Sequence, residues 1–309
     1  QRLVEQYSDE VLSHRLHREI MSTQVANDIV NRMGLNFVSR QAKATGASAA
    51  DVARAFITVT EVFRLRELWE WIELLDHRVS SAVQMDMMLK LLRLVKRATR
   101  WLLRNRRHEL APTPLVEEFS AGLEQLREAY PAMLRGSSAE LYESAYDRYV
   151  EEGVGEELAS RIAGTQLAYT GLGIIQAAKE SEASLLDVAN LYFFIGERLE
   201  LDWFSGQILA SKVENEWQAL ARDTYMEDLE WQQRTLAVGA LKHLDEDANL
   251  LTCMQRWEGE QESLLSRWQA MLAELHATDA PDFAMFAVAN RELLDLAQSS
   301  KRPVDQVEV

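Results

Sequence analysis

One cysteine, Cys253, occurs in 309 residues, which excludes an internal disulfide and any multi-cysteine metal site and fits a reducing cytosol. Proline is scarce at 5, and none falls between Pro131 and Pro281, so that stretch carries no proline breaks. The β-branched residues Val, Ile and Thr together number 42, against 43 Leu, 37 Ala and 33 Glu, a composition that favours helices over strands. No window approaches ~18 consecutive apolar residues, so no membrane-spanning helix is expected. Gln1 to Glu19 is too charged for a signal peptide. Excess positive charge is also lacking: the formal net charge is −16, which argues against general binding to nucleic acid.

What is present is helical almost throughout. Apolar residues recur at spacings of three and four, with no sustained alternation. The chain therefore reads as an all-α, multi-helix array without a sheet. Its 47% apolar and 27% charged residues are those of a soluble globular protein with a large core, and with the single cysteine a cytoplasmic location is expected. Helix boundaries are legible. Gly34 and Gly46 stop helices, and Ser48 caps the next one. Thr113-Pro114 opens a helix to about Ala129, Ser137 to Glu140 forms a capping box, and Gly153-Val154-Gly155 is a turn. Ser299 to Val309, polar and proline-containing, is expected to be disordered.

Charge is unevenly distributed. Residues 1–111 carry 18 basic and 13 acidic side chains, whereas residues 112–309 carry 15 and 36. The basic excess sits in Lys90, Arg93, Lys96, Arg97, Arg100, Arg104, Arg106 and Arg107, with no acid between Asp86 and Glu109. This segment predicts one long helix over about 82–107, capped by Ser80 or Ser81, ~39 Å in length. Arg93, Arg97, Arg100, Arg104 and Arg107 form its candidate docking or anion-binding ridge. A solvated face with scattered ion pairs, worth ~0–1 kcal/mol each, is the plainer reading of the same residues.

An internal repeat is the most informative structural feature. Residues 42–65 align without gaps on 178–201, with nine identities in 24 positions, among them Ala47/Ala183, Ser48/Ser184, Asp51/Asp187 and Glu61/Glu197. Phe56 and Tyr192 correspond on the buried face. With a two-residue shift the similarity continues, pairing Gln84, Arg100 and Leu102 with Gln218, Arg234 and Leu236. Such self-similarity marks a duplicated unit, or arises by chance between two helical stretches. The organisation expected is a basic first unit over 1–111, connecting helices over 112–176, a second unit over 177–297 and a tail over 298–309.

Motifs for chemistry are missing. Gly171-Leu172-Gly173 is followed by Gln176 and lacks a preceding strand, so it fails as a dinucleotide fingerprint. There is no phosphate loop, and neither Glu-x-x-His nor His-Glu-x-x-His occurs. Glu10, His14 and His17 share a helical face, and His243, Glu246 and Asp247 form a similar group. Six histidines in a helical chain produce such spacings easily, and a solvated face or a helix-end histidine explains them. Cys253 reads as a packed thiol. Trp69, Trp101, Trp203, Trp217, Trp231, Trp257 and Trp268 read as core or interface anchors. No catalytic, cofactor-binding or metal-ligating residue is assigned.

Six ordered segments carry a resemblance: VANDIVNRMG at 25–34, TGASAADVARAF at 45–56, RATRWLLRNRR at 97–107, GERLELDW at 196–203, WQALAR at 217–222 and FAVANRELLDL at 286–296. Over roughly residues 10–297 the chain resembles the C-terminal region of the large bacterial NAD-specific glutamate dehydrogenases. The resemblance implies a helical region following a catalytic core that oxidises L-glutamate to 2-oxoglutarate and ammonia with NAD. The catalytic and cofactor residues of that core match no position here. It further implies that NAD belongs to the parent enzyme, not to this segment. The expected partners are the remainder of the polypeptide and other subunits of a homo-oligomer, with no nucleic acid and no membrane. A start in helix-like sequence without Met agrees with a piece of something longer. The alternative is a freestanding helical adaptor or anion-binding protein using the basic helix over 90–107.

Overall fold

A computed structural model describes residues 15–244 and 249–301. Among these residues there are fifteen α-helices, one short 3-10 turn and no strand. The all-α expectation holds. The chain divides into two compact units, residues 1–121 with 145–169 and residues 122–144 with 170–309. The segment expected as a connector over 112–176 is shared out between them.

The first unit begins with α1 (His17–Met33), α2 (Phe37–Thr45) and α3 (Ala49–Val62). Gly46 takes the left-handed conformation that ends α2, with φ 69°. Ser48 then starts α3, its hydroxyl accepting the Asp51 amide at 3.1 Å. A left-handed Arg64 (φ 52°) breaks the chain into α4 (Leu65–Glu73). Ser80 accepts the Val83 amide and opens α5 (Ser81–Asn105), 25 residues long. That is the long basic helix, two residues shorter at its C-terminus than the expected 107. It buries Val83, Met87, Leu91, Leu94, Val95, Ala98, Leu102 and Leu103. Each large aliphatic side chain among them contributes ~1.5–3 kcal/mol. α3, α4 and α2 pack on it.

α6 (Pro112–Met133), α7 (Gly136–Glu151) and α9 (Thr165–Glu180) straddle the division, with α8 (Glu156–Ala163) in the first unit. Two boundaries depart from expectation. α6 does not stop near Ala129 but runs through Pro131 to Met133, since a proline so near the end forfeits little of the hydrogen-bond ladder. The box at Ser137 to Glu140 does not cap α7, which already starts at Gly136. The Ser137 hydroxyl instead donates to the Asp202 carboxylate at 3.2 Å, and Ser138 donates to the same group.

The second unit follows the same sequence of events. α10 (Leu185–Arg198) is followed by a left-handed Glu200 (φ 52°), α11 (Leu201–Ala210) and α12 (Glu216–Ala240), again 25 residues. Ser184 precedes α10, yet its side chain makes no cap hydrogen bond, unlike Ser48. Beyond the 3-10 turn Leu241–His243 lie α13 (Leu250–Glu260), α14 (Glu262–His276) and α15 (Phe283–Ser300). α12 is packed by α15, α10 and α11. The expected tail is partly helix. Ser300, 1% exposed, accepts the Trp257 indole N–H at 3.1 Å and ends α15 inside the core. Residues 302–309 lie outside the described residues.

Of the tryptophans, Trp69, Trp101, Trp257 and Trp268 are buried, and Trp203 stacks on His276 at 3.7 Å. Trp217, 81% exposed, and Trp231, 38% exposed, are not core residues. Cys253 is buried and donates to the Ala240 carbonyl at 3.3 Å. Gly171 and Gly173 sit within α9 as packing glycines: a methyl group at 171 would meet Leu123 at 2.6 Å.

Candidate docking surface

The five ridge arginines lie along the outer side and C-terminal end of α5, but they do not share one environment. Arg93 is exposed and pairs with none of the described residues. Arg97 is half-buried. Its guanidinium lies over the Tyr169 ring at 3.9 Å and donates to the Gln166 side chain. Such a stack contributes ~0.5–2 kcal/mol. Arg100 is half-buried. Arg104 and Arg107 reach back to α2, donating to the Ala44 carbonyl at 3.4 Å and the Gly46 carbonyl at 2.9 Å. They serve carbonyls that the end of α2 leaves without helical partners, where its dipole also favours a cation. Arg106, outside the ridge, holds Glu118 through both nitrogens at 2.8 and 2.9 Å. Part of this charge is thus committed inside the unit.

Near the start of α5, Tyr149 donates to Asp86 at 2.6 Å, and Lys90 sits over the Tyr149 ring at 4.8 Å. Burial raises the Asp86 carboxyl, but hydrogen bonds from Tyr149 and Arg148 outweigh it and hold the group below its ordinary value. Burial lowers Lys90 despite the nearby Asp86.

Exposed apolar groups complete the outer side of α5: Met85 at 60% and Leu89 at 38%, two turns and one turn before Arg93. On α12 the exposed apolar groups are Trp217 at 81%, Leu220 at 56% and Trp231 at 38%. Of the two alternatives for the tryptophans, core or interface anchor, burial excludes the core for Trp217 and Trp231. Acidic and polar Glu214, Asn215 and Glu216 before Trp217 mark a wet helix start, whereas exposed Met85, Leu89 and Leu220 carry no such signal in the sequence.

A cavity of about 50 Å³ lies among α1, α3 and α4, lined by Asp28, Arg32, Phe56, Arg66, Trp69 and neighbours. Ligand pockets run to ~300–1,000 Å³. Arg32 is already bonded to Glu73 at 2.6 Å and stacked over Trp69 at 4.8 Å. The histidine groups fare no better. Glu10, His14, Glu246 and Asp247 lie outside the described residues, and His243 meets Glu260 at 2.8 Å. Among the described residues no three His, Cys, Asp or Glu side chains converge on a metal position, and no helix is long and apolar enough to cross a membrane.

The described residues therefore define a helical domain whose two long helices each carry exposed apolar groups. The chain belongs to the family described as glutamate dehydrogenase, C-terminal, whose model matches residues 1–295. Its relatives include the NAD-specific glutamate dehydrogenases of Pseudomonas aeruginosa, 44% identical over 302 residues, and Halomonas elongata, 41% identical over 298. These alignments cover 98% and 96% of this chain but 19% and 18% of the relatives. The enzyme of Mycobacterium tuberculosis is 27% identical over 302 residues. The chain thus spans about a fifth of the length of the curated relatives it matches.

Proposed function

We propose that this chain is the non-catalytic, helical C-terminal region of a large NAD-dependent glutamate dehydrogenase, acting in subunit assembly, support of the catalytic core or allosteric coupling. One observation carries the reading: a family match over residues 1–295 in a chain that corresponds to under a fifth of its NAD-specific relatives. In the parent polypeptide, L-glutamate, NAD and water give 2-oxoglutarate, ammonia and NADH. The hydride acceptor and the groups that hold it belong to the remaining four-fifths. The glycines nearest to a dinucleotide motif, Gly171 and Gly173, support this division, because they pack against Leu123 and Arg234 within the second unit.

The partners on this reading are the rest of the same polypeptide and other subunits, in the cytoplasm. Arg93 is the ridge position best placed to meet them, since Arg97, Arg104 and Arg107 already serve their own unit. The two units further read as copies of one helical unit. Paired breaks at Arg64 and Glu200 and long helices of equal length support that view.

The test is an assay of the chain alone with glutamate and NAD, read at 340 nm beside a longer dehydrogenase of the family. The expected result is no NADH above background from the chain. Turnover by these 309 residues would overturn the proposal.

A further inference from the structure

The long helices of the two units each carry an outward stripe of exposed apolar groups, and the two stripes are bordered by charges of opposite sign. On α12, Trp217, Leu220, Thr224 and Trp231 fall three, seven and fourteen residues apart, which keeps them on one side of the cylinder over ~21 Å. Glu216, Asp223 and Glu227 run along one edge of that stripe, and Asp228 lies within it. No residue of α12 before Leu229 is buried. Within the first three turns Trp217 and Leu220 face solvent, while Tyr225 on another side packs against Phe283.

On α5, Met85, Leu89, Arg93 and Lys96 occupy the same kind of row. Two exposed apolar side chains are followed by two cations. Leu74, at the end of α4, is another exposed apolar group of this unit at 69%. An exposed tryptophan and leucine on a helix with a single-sign rim are what an interface anchor looks like before its partner arrives.

We propose that two copies of this chain associate by packing the acidic, tryptophan-bearing face of α12 in one copy against the basic face of α5 in the other. Charge decides the occupant. Laying the α12 face on its own counterpart would bring Glu216, Asp223, Glu227 and Asp228 against the same four acids. Laying it on α5 sets those acids against Arg93 and Lys96, while Trp217 and Leu220 cover Met85 and Leu89. Opposite rims also fix the register of such a helix pair and hasten its formation at low salt. The inference deepens the assembly reading above and rests on it.

Sedimentation equilibrium of the chain from about 1 to 300 µM, at low and high salt, tests it. The expected result is reversible association that weakens as salt rises. Two variants separate the faces: Trp217→Ser with Leu220→Ser, and Met85→Ser with Leu89→Ser and Arg93→Glu. All five side chains are exposed, so helical circular dichroism and melting should stay at the wild-type values. Each variant alone should be a monomer where the wild type is associated. An equal mixture should form a one-to-one heterodimer, because it still holds one intact face of each kind. Arg93→Glu alone removes no apolar group and should weaken association about tenfold at low salt, less at high salt.

A wild-type chain that is monomeric throughout overturns the inference and leaves the domain reading in place. Turnover by the chain would do the reverse. Persistence of association in the α5 variant would mean that the tryptophan face pairs with itself, and a mixture that remains monomeric would mean that the faces do not meet; either result also overturns the pairing.

Discussion

The second halves of α5 and α12 bury similar positions, and the first halves do not. With the spacing that aligns Leu102 with Leu236, the buried Val95, Ala98, Thr99 and Leu103 fall opposite the buried Leu229, Gln232, Gln233 and Ala237. Upstream, Val83, Met87, Leu91 and Leu94 are buried in α5, whereas Trp217, Ala221, Tyr225 and Asp228 are not buried in α12. The first half of α5 thus belongs to the core of its unit, and the first half of α12 buries none of its residues.

A finer correspondence lies at the left-handed breaks. The residue before each break exposes a carbonyl that no helix can satisfy. In the first unit the Phe63 carbonyl accepts from Arg161 at 2.9 Å; in the second the Leu199 carbonyl accepts from the Trp268 indole at 3.1 Å. The same backbone need is met by a half-buried cation in one unit and a buried aromatic in the other. Trp268→Ala should therefore be the more costly change. It removes a fully buried ring and its hydrogen bond, for ~3–5 kcal/mol in urea unfolding followed by circular dichroism. Arg161→Met should cost ~1.5–3 kcal/mol, since the stem can still pack while the charged donor is lost. Equal costs would mean that the carbonyl, not the ring, dominates at both breaks.

Gly239 offers a test confined to the second unit. A methyl group there would lie 2.7 Å from the Ser300 carbonyl oxygen, a backbone atom that cannot swing aside. Gly239→Ala should push α15 from α12 and cost ~1–3 kcal/mol, with faster amide exchange at the end of α15 than elsewhere. The smallest effect separates the two capping serines. Ser48→Ala should lower stability by ~1 kcal/mol because it removes a cap that is formed. Ser184→Ala should change thermal melting by less than ~0.5 kcal/mol, because its hydroxyl makes no cap hydrogen bond. A matching loss at both positions would erase that distinction.

Local features were readable from the sequence, and contacts across it were not. The Ser80 cap, the Gly46 stop, the Ser48 start and the absence of strands follow from residues within a few positions of each other. The fate of the ridge depended on partners far away. Arg97 meets Gln166, 69 positions on, and Arg107 meets Gly46, 61 positions back, so no window along α5 announces that these cations are engaged. The Ser137 to Glu140 box misled for the same reason, since Asp202 competes for both hydroxyls. Helical spacing gave Trp217 and Trp257 the same label; only packing separates the exposed one from the one fully enclosed.

The claim on which the rest depends is that these helices support a dehydrogenase without holding its cofactor. Calorimetric titration of NAD into the chain, up to millimolar nucleotide and with or without 2-oxoglutarate, addresses it most directly. The account predicts heats indistinguishable from dilution. A saturable isotherm with a dissociation constant in the micromolar range would contradict it, because a dinucleotide site would then exist within residues assigned none.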